Sequence, residues 1–353
     1  MQNAMNIFRF PPFIALSYML HATELPPTPD PTPEPIPVPT FGQWVNGLDD
    51  AQVQKALELV ETHFQGASGL DAGAKQRALL EGLGSKFGPG IGFATLTRTV
   101  GDATPFLAEI LDGQAGYVRP GTLDSKVLGQ MDAALENFTD KQIPAVILDL
   151  RAVGPGSDME SAAEFARRFS PKGKIMFTIQ NPSAKQERIL TSDKDPLFSG
   201  ILLVLVDAET SGAAEVLAAT LREHADAMVV GEQTAGEGVE FGEFSLGGDK
   251  VLRVAVSCVV LPGGGTLSPD GLRPDVPVAF NPVLRDRIFE LSQSGGVSRF
   301  VFDVDRPRIN EAALVARTNP EISAGKSEEI DAPRDAVLQR AMDLVTAIQF
   351  FKK

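Results

Sequence analysis

The chain is short of cysteine, histidine and positive charge. A single cysteine, Cys258, occurs in 353 residues. That excludes an intramolecular disulfide and any metal site built on several cysteines. Its apolar setting, "VAVSCVVL", predicts a buried small hydrophobe. Three histidines, His21, His63 and His224, leave few candidates for histidine chemistry. Lysine and arginine total 32 against 46 aspartates and glutamates, a net charge of −14. A surface of that sign repels phosphate backbones, so nucleic acid is not an expected partner. Solubility is the plainer reason for the charge. The hydrophobic fraction, 43%, is ample for a folded core. No residue pattern calls for a cofactor or a metal.

The N-terminus reads as targeting rather than fold. Residues 1–22 carry one cation, Arg9, and an apolar stretch, "FPPFIALSYMLHA", ending at Ala22. This predicts a secretory signal peptide, and with it a secreted or periplasmic setting. Pro11 and Pro12 interrupt the apolar core, and a chance apolar patch on a disordered tail is the competing reading. The stretch is too short to span a bilayer as a helix of the mature chain. Residues 23–42, dense in proline, predict a stiff extended linker.

From Asp49 the text turns helical. "DDAQVQKALELVETHF" puts Val53, Ala56, Leu57, Val60 and Phe64 on one face, with Asp49 or Asp50 as cap. "DAGAKQRALLEGLGSKFG" predicts a second helix, with Leu79, Leu80 and Leu83 inward and Gly84 or Gly88 near its end. Together, residues 43–90 predict an N-terminal helical subdomain. The core, 91–280, alternates strand and helix. "AGYVRP", "PAVILDLR", "GILLVLVD", "AMVVGE" and "VLRVAVSCVVLP" read as strands, with helices between the earlier ones. Unbroken apolar strands separated by helices predict an α/β fold with a mostly parallel sheet. Sites in such sheets lie beyond the carboxyl ends of the strands. Residues 281–332 read as an irregular insertion packed on the core, and 333–353 as a closing amphipathic helix.

Six segments then fall in order: "GYVRP", "VILDLRAVGPGSD", "FARRFSPKG", "LVLVDAETSGAAEVLAATL", "VVGEQTAGEG" and "LPGGGTLSPDGLRPDVPV". The series, Gly116 to Val278, resembles the C-terminal processing, or tail-specific, serine peptidases. The resemblance implies a ClpP/crotonase-like core and a peptide or unfolded protein segment as partner. It also implies a serine nucleophile opening a helix, activated by a lysine. Helix-opening amides favour an oxyanion, and the lysine needs a desolvated place to lose its proton. The family serine stands three residues before the glutamate of the helix-opening motif, here Glu215, so its position is Gly212. The family lysine position is Glu237, 25 residues on, in the family register. Both dyad positions are therefore replaced.

The oxyanion donors implied by the family map to Ala213 and to Gly154 or Gly156, in a loop one residue longer than usual. Those glycines equally suit a tight strand-to-helix turn. Ser211 is the fallback nucleophile, with Lys126, Lys172 or Lys250 as bases that folding would have to bring close. Its plainer role is to cap the helix that follows. Glu215, Glu232, Glu237 and Glu240 form a third possibility, a cluster for lyase chemistry. A role in assembly alone is the fourth. Many family members carry a PDZ domain before the core. Only Gly88 to Gln114 intervenes here, and a separate domain needs about 50 residues. The sequence thus predicts an exported peptidase-like protein that binds peptides without cleaving them, with an active endopeptidase using Ser211 as the alternative.

Overall fold

The computed structural model describes residues 45–63, 72–95, 104–154, 157–301 and 333–352. The expected signal segment, the linker, Gly156 and residues 302–332 of the expected insertion lie outside the described residues. The chain divides into two compact units, Met1–Asp71 and Ala72–Lys353. In the first, α1 spans Asp50–His63. Asp49 caps it reciprocally with Gln52: the Gln52 N–H donates to Asp49 Oδ1 (2.8 Å) and the Asp49 N–H to Gln52 Oε1 (3.0 Å). Its expected inward face is open, with Leu57 60% and Val60 50% exposed.

The second unit begins with α2, Ala72–Phe87, which passes through Gly84 and stops at Gly88, where φ is +50°. Leu79 and Leu80, expected inward, are exposed. Helix α2 belongs to the unit that contains the core.

Six strands form the main sheet, in the order β11-β8-β7-β4-β3-β2. They are β2 (Leu107–Leu111), β3 (Ala115–Arg119), β4 (Ala145–Asp149), β7 (Ile201–Val206), β8 (Met228–Gly231) and β11 (Val276–Pro277). All neighbours are parallel except β2, which returns antiparallel on β3. Alternation decides the layers. Val146, Leu148, Leu202, Val204 and Val206 face α3 (Ser125–Asp140), α4 (Met159–Ala166) and α5 (Gly212–His224). Ala145, Ile147, Leu203 and Leu205 face the closing helix α7 (Ala336–Lys352) through Val337, Leu338, Ala341, Met342 and Val345. Both faces are covered, which is why these strands read as unbroken apolar runs.

A second sheet has five strands and is antiparallel, so the mostly parallel expectation describes only the six-stranded sheet. Its members are β1 (Ile91–Thr95), β5 (Ile175–Asn181), β6 (Gln186–Thr191), β9 (Val239–Gly247) and β10 (Lys250–Val260). Strand β10 pairs β1, β5 and β9. Cys258 lies on β10 and is half-buried rather than buried.

Residues 282–295, expected to be irregular, form helix α6, Pro282–Gly295. Asn281 caps it, Pro282 occupies its first turn, and Ile288 and Phe289 pack with Phe300. Its Arg285 is buried because it meets Asp207 (2.5 Å) and Glu209 (2.7 Å) of the β7–α5 turn. Among the described residues no helix is long and apolar enough to cross a membrane.

An ionic network joins the sheet to α7. Arg151 donates to Asp149 through Nε (2.9 Å) and Nη2 (2.7 Å), and to Asp335 through Nη1 (3.1 Å) and Nη2 (2.8 Å). Tyr117 donates its hydroxyl to Asp149 at 2.7 Å. Burial pushes the Asp149 carboxyl up, but Arg151 and Tyr117 outweigh it and hold it below its ordinary value. Asp335 also accepts from the Val337 and Leu338 amides, capping α7. Removing one partner of a buried ion pair leaves the other charge stranded. Asp335→Ala is therefore expected to cost about 3 kcal/mol, read as a lowered urea midpoint. Asp335→Asn, which keeps the cap, is expected to cost less.

Candidate functional site

The site grows from the turn between β7 and α5. Asp207 Oδ1 accepts the Glu209 and Thr210 N–H groups at 3.1 and 2.9 Å and the Thr210 hydroxyl at 3.0 Å. The Thr210 oxygen accepts the Asp207 N–H at 3.0 Å. Arg285 fixes the outer oxygen of Asp207. So braced, the turn delivers Ser211 and Gly212 to the helix start. Ser211 occupies the N-cap position, with extended φ −142° and ψ 165°, but its side chain makes no capping bond. The expected cap is thus positional only.

Gly212 has φ +56°, a left-handed conformation that glycine adopts without strain. A Cβ built there would find one heavy atom within 4 Å, the Glu237 carbonyl oxygen at 3.9 Å. The position has room for a side chain and carries none. The first amides of α5, Ala213 included, lack acceptors within the helix. They point their partial positive charge towards the helix start.

Glu215, three residues on, is fully buried. Its Oε1 accepts the Thr234 hydroxyl and, at 2.9 Å, the Gly236 N–H. Thr234 Oγ1 in turn accepts the Leu272 N–H at 2.7 Å, and the Ala235 N–H donates to the Thr210 carbonyl at 3.0 Å. These bonds hold the loop carrying Glu237 against the start of α5. The loop must turn tightly: Gly236 has φ +79°, and a Cβ there would lie 2.1 Å from the Pro269 carbonyl oxygen. Burial pushes the Glu215 carboxyl above its ordinary value, against its hydrogen bonds from Thr234 and the backbone. Its Oε2 has no partner.

Around this start lies a cleft of about 490 Å³, lined by Ser211, Gly212, Ala213 and Glu237. Its floor is the β4–α4 loop with Gly154, Ser157 and Asp158. The Gly154 N–H donates to the Gly121 carbonyl at 3.1 Å, so it is not free to serve an oxyanion. Asp158, not Ser157, caps α4 by accepting the Ser161 N–H, and Ser157 Oγ accepts the Leu123 N–H. The far wall is β9 and β10, with Glu240, Phe241, Glu243 and Arg253. The Arg253 guanidinium sits 4.1 Å from the Phe241 ring centre.

The fold therefore brings Ser211, Gly212, Ala213, Gly154 and Glu237 together. It does not gather the four glutamates. Glu215 is engaged beneath the site, Glu240 pairs with Arg188, and Glu232 lines a separate small pocket beside Arg285. Lys126, Lys172 and Lys250 are not among the described residues lining the cleft. His224 ends α5 and meets the Ile175 carbonyl. The sequence reading missed the wall residues Phe241 and Arg253. The alternation of "VEFGEFSLGGDKVLRVAV", with "GGD" at its centre, is the hairpin signal that finds them.

Comparison with known proteins adds the following. Residues 114–278 match the model of peptidase family S41. The chain is 25% identical over 236 residues to the carboxyl-terminal-processing peptidase 1, chloroplastic, of Arabidopsis thaliana, covering 65% of this chain and 46% of that protein. It is 28% identical over 185 residues to a carboxyl-terminal-processing protease of Synechocystis, covering 51% and 43%. The solved photosystem II D1 C-terminal processing protease is 26% identical, covers 60% of this chain and 52% of its own, and superposes with a TM-score of 0.44. The chain spans about half the length of the curated relatives it matches.

The buried Glu215 predicts a pH effect. The folded chain holds this proton to higher pH than the unfolded chain does. In the window between the ordinary and the raised value the folded state binds more protons, so stability falls as pH rises. Glu215→Gln stays neutral and lacks that slope. Urea unfolding from about pH 4 to about pH 8 should show the variant gaining on the native chain as pH rises through that window. A constant difference would contradict the assignment.

Proposed function

We propose that this chain, whose residues 114–278 belong to the C-terminal processing peptidase family, binds an extended peptide or unfolded protein segment without cleaving it. The observation carrying the reading is Gly212. It stands at the start of α5, at the family serine position, with open space where a side chain would go. Glu237, which lines the same cleft, is the position that the resemblance gives to the lysine. Acyl transfer needs a nucleophile beside its base; the Glu237 carboxylate can accept a proton, but position 212 has no side chain to supply one. What remains suits binding: first-turn amides for a carbonyl oxygen and a cleft with an apolar and charged wall. Export to a secreted or periplasmic setting, resting on residues 1–22, is part of the proposal.

Ser211 supports a second reading, as its hydroxyl lines the cleft uncapped. Among the described residues no lysine lines the cleft beside it, and a nucleophile displaced by about 1 Å already loses on the order of a hundredfold in rate.

The test is hydrolysis of a reduced, unfolded protein by the full chain, by Ser211→Ala, and by Gly212→Ser combined with Glu237→Lys. No cleavage by the native chain is expected, with cleavage appearing in the double variant. Left-handed backbone at position 212 costs a serine about 1–3 kcal/mol, which the fold can bear. Native cleavage that disappears in Ser211→Ala would overturn the proposal in favour of the second reading.

A further inference from the structure

The charged side chains of the cleft differ in one respect: all but one are already engaged. Asp158 accepts the Ser161 N–H at the head of α4, at 2.7 Å. Glu240 ion-pairs with Arg188, which also reaches Glu160. Glu243 lies 3.6 Å from Arg253 Nε, and Arg253 stacks on Phe241. Glu237 is half-buried and lines the cleft, and among the described residues its carboxylate has no ion-pair or hydrogen-bond partner. A carboxylate withdrawn from water costs free energy until a cation or donor meets it.

Space and polarity beside it are complementary. Gly212 leaves open the volume next to the Glu237 backbone. The first amides of α5 present partial positive charge. One end of the site therefore suits a peptide carbonyl oxygen and the other a cationic side chain. By the resemblance, family members carry their own ammonium at the position of Glu237. With a carboxylate there, the ammonium has to come from the ligand. The chain's net charge of −14 adds long-range attraction for cationic segments.

We propose that Glu237 is a specificity-determining residue: its carboxylate receives the ammonium group of a lysine side chain of an extended peptide bound in the cleft. This inference rests on the peptide-binding reading of the cleft.

The test uses the full chain and fluorescently labelled peptide pools, acetylated and amidated at their ends. Flanking positions are degenerate and uncharged, and the central residue is lysine, norleucine or glutamate. Anisotropy titration at low salt is expected to show the lysine pool binding about tenfold more tightly than the norleucine pool, as befits one charge-assisted contact. Glu237→Gln should bring the two within about twofold, with an unchanged thermal melt showing that the fold is kept. Glu237→Lys should turn the preference towards the glutamate pool. Equal binding of lysine and norleucine pools by the native chain overturns the inference and leaves peptide binding intact. So does a lysine preference that survives in Glu237→Gln. If no pool binds the native chain, the peptide-binding reading fails, and this inference with it.

Discussion

The Glu215 carboxylate holds the site together. It is buried under the start of α5, and one of its oxygens gathers the Thr234 hydroxyl and the Gly236 amide. Through Thr234 it also reaches Leu272. The helix and the 234–236 loop therefore meet on one oxygen, and the segment at Leu272 joins them through the Thr234 hydroxyl. Removing such a group strands several buried donors at once, and each stranded donor costs about 1–3 kcal/mol. Gly212 is the opposite case. Nothing packs on the place where its side chain would be, so a side chain absent there costs the fold nothing. The frame of the site and the side chain at position 212 are thus physically separable. Stability alone favours keeping Glu215 and its loop, and it favours glycine at the left-handed position 212.

The ionic network at Arg151 acts on the same cleft from the other side. Asp149 ends β4, and Arg151 begins the loop that forms the cleft floor. Arg151 is bound by Asp149 behind it and by Asp335 from α7. The docking of α7 and the position of the floor therefore share one guanidinium. Arg285 does for the β7–α5 turn what Arg151 does for the floor, bringing α6 down onto Asp207 and Glu209. Both closing helices serve the cleft at a distance, by fixing the loops that line it.

How much of this the sequence discloses depends on the range of the forces involved. Strands β4 and β7 are legible because both their faces are buried, which writes an unbroken apolar run. The positions of Gly212 and Glu237 are legible because turn, helix and loop are ordered along the chain. Helix α6 was missed because "PVLRDRIFELSQSG" looks polar. Its burial of Arg285 depends on an aspartate 78 residues away. The apolar stripes of α1 and α2 read as core, yet periodicity reports which face is apolar and not what covers it. Gly154 shows a further limit. A glycine in the right loop looks like an oxyanion donor until the backbone shows its N–H already given to Gly121.

On the proposed reading, the residues at positions 212 and 237 are coupled by the cost of burying charge. A lysine facing a serine at the start of α5 has to be desolvated to lose its proton, and that desolvation is unfavourable. The cost is tolerated where a nucleophile makes use of it. With glycine at 212 there is no hydroxyl to deprotonate, and a lysine at 237 would keep the cost without the use. It would also set a cation beside the positive end of a helix. A glutamate at 237 removes that last term, because it brings no second cation to the helix start. Under the proposed reading, glycine at 212 and glutamate at 237 are therefore electrostatically compatible, whereas glycine with lysine would carry a cost with no catalytic return.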